Sequence, residues 1–245
     1  MAKLLIVEDS IIVQALFQEL FELEDTFEYD IAKSFEEAKL LLKRTRYEYG
    51  VVERVLKDAP HGEIIALLNR HNIAPLVFTN HIDEDFFDEF EGAKIVSYIK
   101  KIRFNTEVNV IKQLKQLQAN KQTKILVASD SKIYSTYLRQ NLKLHNFKVI
   151  AAHNDAEIYE RLVLHPDTRL LVLDSNEPYV NTLEVIEQIR KSAENDKLKI
   201  LTLVDESNSF ATSTLLHNGS DDYLIKDFSR DEFYVRVYQN INKVC

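Results

Sequence analysis

The stretch Arg169-Leu-Leu-Val-Leu-Asp174-Ser-Asn-Glu-Pro178 decides the fold that this sequence predicts. Four of the five residues that precede Asp174 are apolar, and a polar turn closed by Pro178 follows it. A short apolar run bounded by turn signals is typical of a strand buried on both faces, as in parallel sheets. Open parallel sheets bind their ligands at the carboxyl ends of their strands. Asp174 is therefore either a functional carboxylate at such an edge or a cap for the following helix.

The same alternation of strands and helices extends through the whole sequence. Short apolar runs such as residues 3–7 and 124–128 are followed by segments whose apolar side chains recur at helical spacing. The pattern contains five strand–helix pairs and then restarts after about 120 residues, which is typical of a duplicated domain. The polar residues 120–123 separate the two copies. The sequence thus predicts two α/β domains, at 1–119 and 124–245, joined by a linker at 120–123, each with a five-stranded parallel sheet and helices on both faces.

Composition narrows the classes of function. The formal net charge is −8, which argues against a nucleic-acid or anionic-lipid surface. The only cysteine is Cys245, so a disulfide framework or a multi-cysteine metal site is excluded. No apolar run approaches membrane-spanning length, and the first acidic residues come too early for a signal peptide. We expect a cytoplasmic protein that binds neither membrane nor nucleic acid.

Polar residues stand at the predicted strand ends of both halves: an acid follows strand one and a lysine follows strand five in each half, Asp174 follows strand three of the second half, and Thr79 ends strand four of the first. With these features the chain resembles two receiver domains of bacterial response regulators in tandem, of the type that precedes diguanylate cyclase domains. The resemblance implies two flavodoxin-like (βα)5 folds with strand order 2-1-3-4-5. It also implies Mg²⁺ as cofactor, and a sensor histidine kinase or phosphotransfer protein as the partner that donates a phosphoryl group to an aspartate.

In the second half, the resemblance assigns Asp174 as the phosphoacceptor, because Pro178 follows it at the family's spacing of four. Asp130 corresponds to an acid of the metal site, and Lys226 to the lysine. The backbone carbonyl of Asn176 is implied as a further metal ligand.

Two residues of the second half depart from the family pattern. Ser129 stands where the first metal-binding acid is usual, which lowers the charge that attracts Mg²⁺. Val204 stands where the hydroxyl is usual, which removes the side chain that normally responds to the phosphoryl group. The alternatives for Asp174 are a working phosphoacceptor and a relic.

The first half departs at a different position. Its residues that match the pattern are Glu8, Asp9, Thr79 and Lys101. Alignment on Gly62 places Arg54 at the phosphoacceptor position, and strand alternation directs the neighbouring Glu53 to the other face. We expect an internal pair between Arg54 and one of the two acids, in place of a metal; the alternative is that Arg54 points to solvent.

The acidic segment 83–91 contains Phe86, Phe87 and Phe90 at spacings that allow one shared helix face. These rings are either core aromatics or an interaction face, because in the family this helix belongs to the signalling surface. That surface, made by helix four, strand five and helix five, would also serve a homodimer.

The leading hypothesis is a two-component phosphorelay module in which the first, pseudo-receiver domain acts as an adaptor or dimerisation unit. The Gly-Gly-Asp-Glu-Phe motif of diguanylate cyclases is absent, so no output enzyme is predicted within this sequence; it is either the regulatory part of such a cyclase, and so of cyclic di-GMP signalling, or a free-standing pair. The alternatives are a scaffold without phosphorylation and a flavodoxin-like flavin binder, although no phosphate-binding glycine loop supports the latter.

Overall fold

In the computed structural model of the protein, the apolar runs of each half of the sequence form a parallel sheet. The chain divides into two units, Met1–Gln118 and Ala119–Cys245. The structure describes residues 1–80, 90, 92–101, 106–175, 180–192, 197–205 and 209–242.

The first sheet has the strand order β2-β1-β3-β4-β5, and the second has the equivalent order β7-β6-β8-β9-β10. All neighbouring strands run parallel. The strands are β1 (Ala2–Val7), β2 (Phe27–Ala32), β3 (Tyr49–Val52), β4 (Leu76–Thr79), β5 (Ser97–Lys100), β6 (Lys124–Ala128), β7 (Lys148–Ala152), β8 (Thr168–Asp174), β9 (Lys199–Val204) and β10 (Asp222–Ile225). The predicted fold class, two flavodoxin-like sheets of order 2-1-3-4-5, is confirmed.

Helices follow the strands in both units. Those within the described residues are α1 (Ile11–Glu22), α2 (Phe35–Arg44), α3 (Glu63–Arg70), α4 (Thr106–Asn120), α5 (Lys132–Leu144), α6 (Asp155–Leu164), α7 (Val180–Arg190), α8 (Ser209–His217) and α9 (Arg230–Asn242). Several helices have a side-chain N-cap. Ser34 accepts a hydrogen bond from the backbone N–H of Glu37, and Asn154 accepts one from the backbone N–H of Glu157.

Each sheet is buried on both faces, as its apolar strands require. In β1, Leu5 and Val7 pack into the hydrophobic cluster on one face, whereas Leu4 and Ile6 pack into the cluster on the other. The second sheet is covered in the same way on its two faces. This packing leaves the strand ends as the places where polar side chains can gather.

The predicted linker begins one residue too early. Asn120 is the last residue of α4 and is fully buried. Its side-chain amide donates hydrogen bonds to the backbone carbonyl of His145 and to the hydroxyl of Tyr238. A polar residue therefore ends the helix by satisfying buried acceptors, which composition alone does not reveal.

Within the described parts of the chain, none of the helices is both long and apolar enough to span a bilayer.

Candidate phosphoryl-transfer site

Asp174 lies at the carboxyl end of β8 with its side chain only 2% exposed. Its Oδ2 accepts a hydrogen bond of 2.5 Å from the hydroxyl of Ser129, the residue that follows β6. Its Oδ1 lies 2.7 Å from the Nζ of Lys226, which follows β10. Parallel pairing brings these three strand ends to one edge of the sheet, so residues distant in sequence form a single site.

Lys226 bridges two carboxylates. Besides Asp174, its ammonium contacts the Oδ1 of Asp205, which follows β9, at 2.8 Å. Burial by itself would lower the pKa of Lys226, but its hydrogen bonds to Asp174 and Asp205 outweigh that effect and hold the pKa above its usual value. The lysine is therefore a permanent cation in the site, and its charge is shared between two acids.

The ring of Tyr134 lies beneath this cation, 5.7 Å from the Nζ of Lys226. Burial, together with the nearby charge of Asp174, raises the pKa of its phenol. Tyr134 is therefore a neutral, mainly apolar wall that limits the access of water to the ion pair.

Two carboxylates of the second unit are candidate ligands for a magnesium ion. One is Asp174, whose buried Oδ1 pairs with the Nζ of Lys226. The other is Asp130, which directly follows Ser129 and is exposed. In the described ranges no group of three or more His, Cys, Asp or Glu side chains could hold a metal. Mg²⁺ commonly binds through only one or two carboxylates and completes its shell with water.

The corresponding edge of the first unit is also closed by ionic contacts. Val52 of β3 pairs with Val7 of β1, as Leu173 of β8 pairs with Ala128 of β6 in the second unit. Glu53 follows Val52 directly, so it is the positional counterpart of Asp174.

Glu53 is buried with its side chain 7% exposed. Its Oε2 lies 2.5 Å from the Nζ of Lys101, and its Oε1 accepts a hydrogen bond of 2.5 Å from the hydroxyl of Thr79. Lys101 also contacts the Oε2 of Glu8 at 2.6 Å. Burial raises the pKa of Glu8, and the charge of Lys101 only partly offsets it. We call these four residues the Glu53 cluster.

Comparison with known proteins agrees with the geometry of the second unit. The family model of the response regulator receiver domain matches residues 125–238. The match therefore extends over almost the whole of the second unit. The first unit has the same receiver fold, with the same strand order, but a different set of side chains at its edge.

Individual relatives support this assignment. The chain is 36% identical over 118 residues to the phosphate regulon transcriptional regulatory protein PhoB of Rhizobium meliloti, an alignment that covers 46% of this chain and 50% of PhoB. It is 26% identical over 107 residues to the chemotaxis protein CheY1 of Helicobacter pylori, covering 43% of this chain and 86% of CheY1. The alignment with PhoB thus spans only half of that protein's length.

The tandem arrangement has a structural parallel. A crystal structure of a two-component system response regulator/GGDEF domain protein matches 98% of this chain and 98% of its own, with a TM-score of 0.84 and 24% identity. A second structure of a protein described in the same terms gives a TM-score of 0.83 at 23% identity. At this level of identity, the likeness establishes that the chain shares the fold of two receivers in series.

The receiver residues predicted for the second unit meet only in part. Asp174 and Lys226 are in contact, and Ser129 replaces an acid by donating a hydrogen bond to Asp174. Val204 is fully buried in the core, so its position contributes no polar group. Asn176 lies outside the described residues.

The predicted assignment of Arg54 is wrong. Strand register places Glu53, not Arg54, at the receiver's aspartate position. The alternation rule also failed for Glu53, because β3 ends at Val52 and the rule does not extend beyond the strand. Lys101, rather than Arg54, pairs with Glu8, while the backbone N–H of Lys57 donates to Asp9.

Arg54 has a different environment. Its guanidinium carbon lies 5.5 Å from the centre of the Phe90 ring, and Phe90 packs against the apolar core of the first unit. Phe90 is therefore partly buried against this core, and its assignment to an interaction face stays a prediction. Phe86 and Phe87 lie outside the described residues.

Sequence reasoning missed Glu53 and Asp205. The signal for Asp205 was present, because it directly follows a buried strand, as Asp174 terminates one. The signal for Glu53 was a constant numerical offset: Glu8 and Glu53 precede Ser129 and Asp174 by the same number of residues. Alignment on Gly62 hid that offset.

Proposed function

We propose that the second unit of this two-component response regulator accepts a phosphoryl group on Asp174 from a histidine kinase or a phosphotransfer protein. The observation that carries the proposal is a buried aspartate at the carboxyl edge of a receiver sheet, held 2.7 Å from a lysine ammonium. Phosphoryl transfer depends mainly on positioning and on neutralising charge, and these contacts provide both.

The transfer needs no general base. A carboxylate oxygen of Asp174 forms a bond to phosphorus as the phosphorus–nitrogen bond of a donor phosphohistidine breaks, and the electron pair returns to the imidazole. Lys226 stays protonated because its pKa is raised, and its charge stabilises the phosphoryl oxygens. Ser129 orients the carboxylate through its hydrogen bond to Oδ2.

Mg²⁺ is the cofactor that the donor set favours. Asp130, Asp174 and the backbone carbonyl of Asn176 would hold it, and the ion would neutralise charge on the transferring group. Since Ser129 replaces one acid, we expect weaker magnesium affinity than two adjacent carboxylates would give.

The wider role is regulatory. Because the two-receiver fold recurs in response regulator/GGDEF domain proteins, we infer that this chain is the regulatory part of a cytoplasmic protein such as a diguanylate cyclase, acting in cyclic di-GMP signalling. The first unit then serves as an adaptor or dimerisation unit. Light scattering of the chain with and without beryllofluoride and Mg²⁺ tests dimerisation.

The direct test is intact-mass spectrometry after incubation with acetyl phosphate and Mg²⁺. We expect a single phosphoryl adduct that is lost in Asp174→Asn and reduced in Lys226→Met. Asp167→Asn is a matched control, because Asp167 is an aspartate of the same unit whose side chain is 61% exposed and pairs with Lys124. Absence of an adduct at any Mg²⁺ concentration would refute the proposal and favour a scaffold without phosphorylation.

A further inference from the structure

The two units place different acids at the same position of the same fold. Glu53 in the first unit and Asp174 in the second both follow the strand residue that pairs with the end of the first strand. The residues around them differ as well: Thr79 stands in the first unit where Val204 stands in the second, since each accepts a hydrogen bond through its carbonyl from the lysine at the next strand end. The chain thus contains its own comparison between the two sites.

In the first unit, both carboxylate oxygens of Glu53 are satisfied. Oε1 accepts hydrogen bonds from the Thr79 hydroxyl at 2.5 Å and from the backbone N–H of Val55 at 3.0 Å. Oε2 accepts one from Lys101 at 2.5 Å. A buried carboxylate with its acceptors filled and a cation beside it is stable as it stands, without a metal or a phosphoryl group.

In the second unit, the corresponding carboxylate has fewer contacts. Within the described residues, Asp174 accepts a hydrogen bond at Oδ2 from Ser129 and pairs through Oδ1 with Lys226 at 2.7 Å, two contacts where Glu53 makes three. Val204 offers no hydroxyl. The carboxylate of Glu53 is therefore held by more partners than that of Asp174.

Two features account for the difference. Thr79 offers a hydroxyl where Val204 has none. Glutamate also carries its carboxylate one carbon–carbon bond further than aspartate, about 1.5 Å, and Glu53 contacts Thr79 on β4 and Lys101 beyond β5 at once. Because Lys101 also holds Glu8 after β1, the Glu53 cluster ties the ends of four of the five strands together.

We propose that the carboxylate of Glu53 is a permanent anion at this strand edge. Its contacts with Thr79 and Lys101 hold the first unit in a single conformation. The first unit is then a constitutive module, independent of phosphoryl donors and of divalent cations, while the second unit alone responds to them. The comparison with Asp174 rests on the proposed function, but the closure of the Glu53 cluster does not.

The test uses the full chain with Asp174→Asn, so that only the first unit could respond. After incubation with acetyl phosphate and Mg²⁺, we expect no phosphoryl adduct. We also expect Mg²⁺ and beryllofluoride to leave hydrogen exchange in β4 and β5 unchanged. The same holds for the backbone amide of Lys101, which donates to the carbonyl of Thr79. An adduct on Glu53, or a clear change in exchange on adding these ions, would overturn the proposal.

Variants of the Glu53 cluster test whether its contacts stabilise the first unit. Glu53→Gln keeps the shape but removes the charge, and we expect exchange at the β4–β5 junction to become about tenfold faster, since a hydrogen bond to a charged group is lost. Thr79→Val reproduces the side chain of the second unit at that position, is close in volume, and should accelerate exchange in the same segment to a smaller extent.

Unchanged hydrogen exchange in both variants would show that the Glu53 cluster does not stabilise the first unit. These measurements do not depend on phosphorylation of the second unit. If the native chain forms no adduct on Asp174 while Glu53→Gln still accelerates exchange in the first unit, the proposed function is refuted but the proposal for Glu53 is supported.

Discussion

The substitution Ser129→Asp is the sharpest test of how the second unit binds its cation. Ser129 is 4% exposed and donates a 2.5 Å hydrogen bond to Asp174. An aspartate at this position replaces that donor with a second negative charge, next to Asp130 and opposite Asp174. It also restores the pair of adjacent acids that the first unit has in Glu8 and Asp9.

The cost without metal has two parts. Loss of a hydrogen bond to a charged group removes about 1.5–3 kcal/mol. Two carboxylates about 4 Å apart repel each other by about 4 kcal/mol at an effective dielectric constant of about 20; the neighbouring Lys226, 2.7 Å from Asp174, offsets part of this. A net destabilisation of about 3 kcal/mol follows, which lowers the midpoint of thermal unfolding of the second unit by roughly 10 °C.

Magnesium should reverse this effect, because a divalent cation neutralises the added charge. We expect about a tenfold gain in Mg²⁺ affinity for Ser129→Asp, measured by thermal unfolding at increasing Mg²⁺, with hydrogen exchange in β6 and β8 to locate the change. Ser129→Ala is the control: it loses the hydrogen bond but adds no charge, so Mg²⁺ should not rescue it further than the native chain. If Ser129→Asp is as stable as the native chain without Mg²⁺, or is not rescued by it, Ser129 does not lie at the cation site.

Three further outcomes are expected. Asp205→Asn should increase the rate of phosphorylation by acetyl phosphate about threefold to tenfold, because it removes one charge that repels the anionic donor and that competes with Asp174 for Lys226. An unchanged or slower rate contradicts this. The pKa of Glu8 in the folded state is raised above 4.5, so the folded protein holds this proton to higher pH than the unfolded protein does. The stability of the native chain relative to Glu8→Gln, measured by urea unfolding, should therefore fall as the pH rises above 4.5. A relative stability that rises over this window would contradict the prediction. Asp221→Ala should destabilise the second unit by about 2–3 kcal/mol, because Asp221 accepts from the guanidinium of Arg190 at 2.6 Å, from a lysine ammonium at 3.0 Å and from the Ile200 N–H at 2.9 Å; a loss below 1 kcal/mol would show that these groups find other partners.

The fold could be predicted from local patterns. Short apolar runs that end in polar turns, separated by segments of helical periodicity, predicted both sheets and their strand order once the resemblance to receivers was recognised. The same resemblance singled out Asp174 and Lys226, and the parallel strands bring these two residues into contact.

The boundary between the units was less accessible to sequence reasoning. Asn120 is polar, yet it is fully buried and bonded to His145 and Tyr238. A polar residue in a sequence predicts a solvated position on average, and only the surrounding structure shows when its hydrogen bonds are made inside.

By itself, the sequence determined the architecture and the chemical types at the strand ends, since hydrophobic periodicity is a local property of the chain. Only the tertiary structure decided which residue of the first unit occupies the position equivalent to Asp174. Glu53 and Arg54 are adjacent, and strand register, set by the pairing of Val52 with Val7, places Glu53 there. The same register brings Thr79 and Lys101 within hydrogen-bonding distance of it, a convergence of residues distant in sequence that no local pattern specifies.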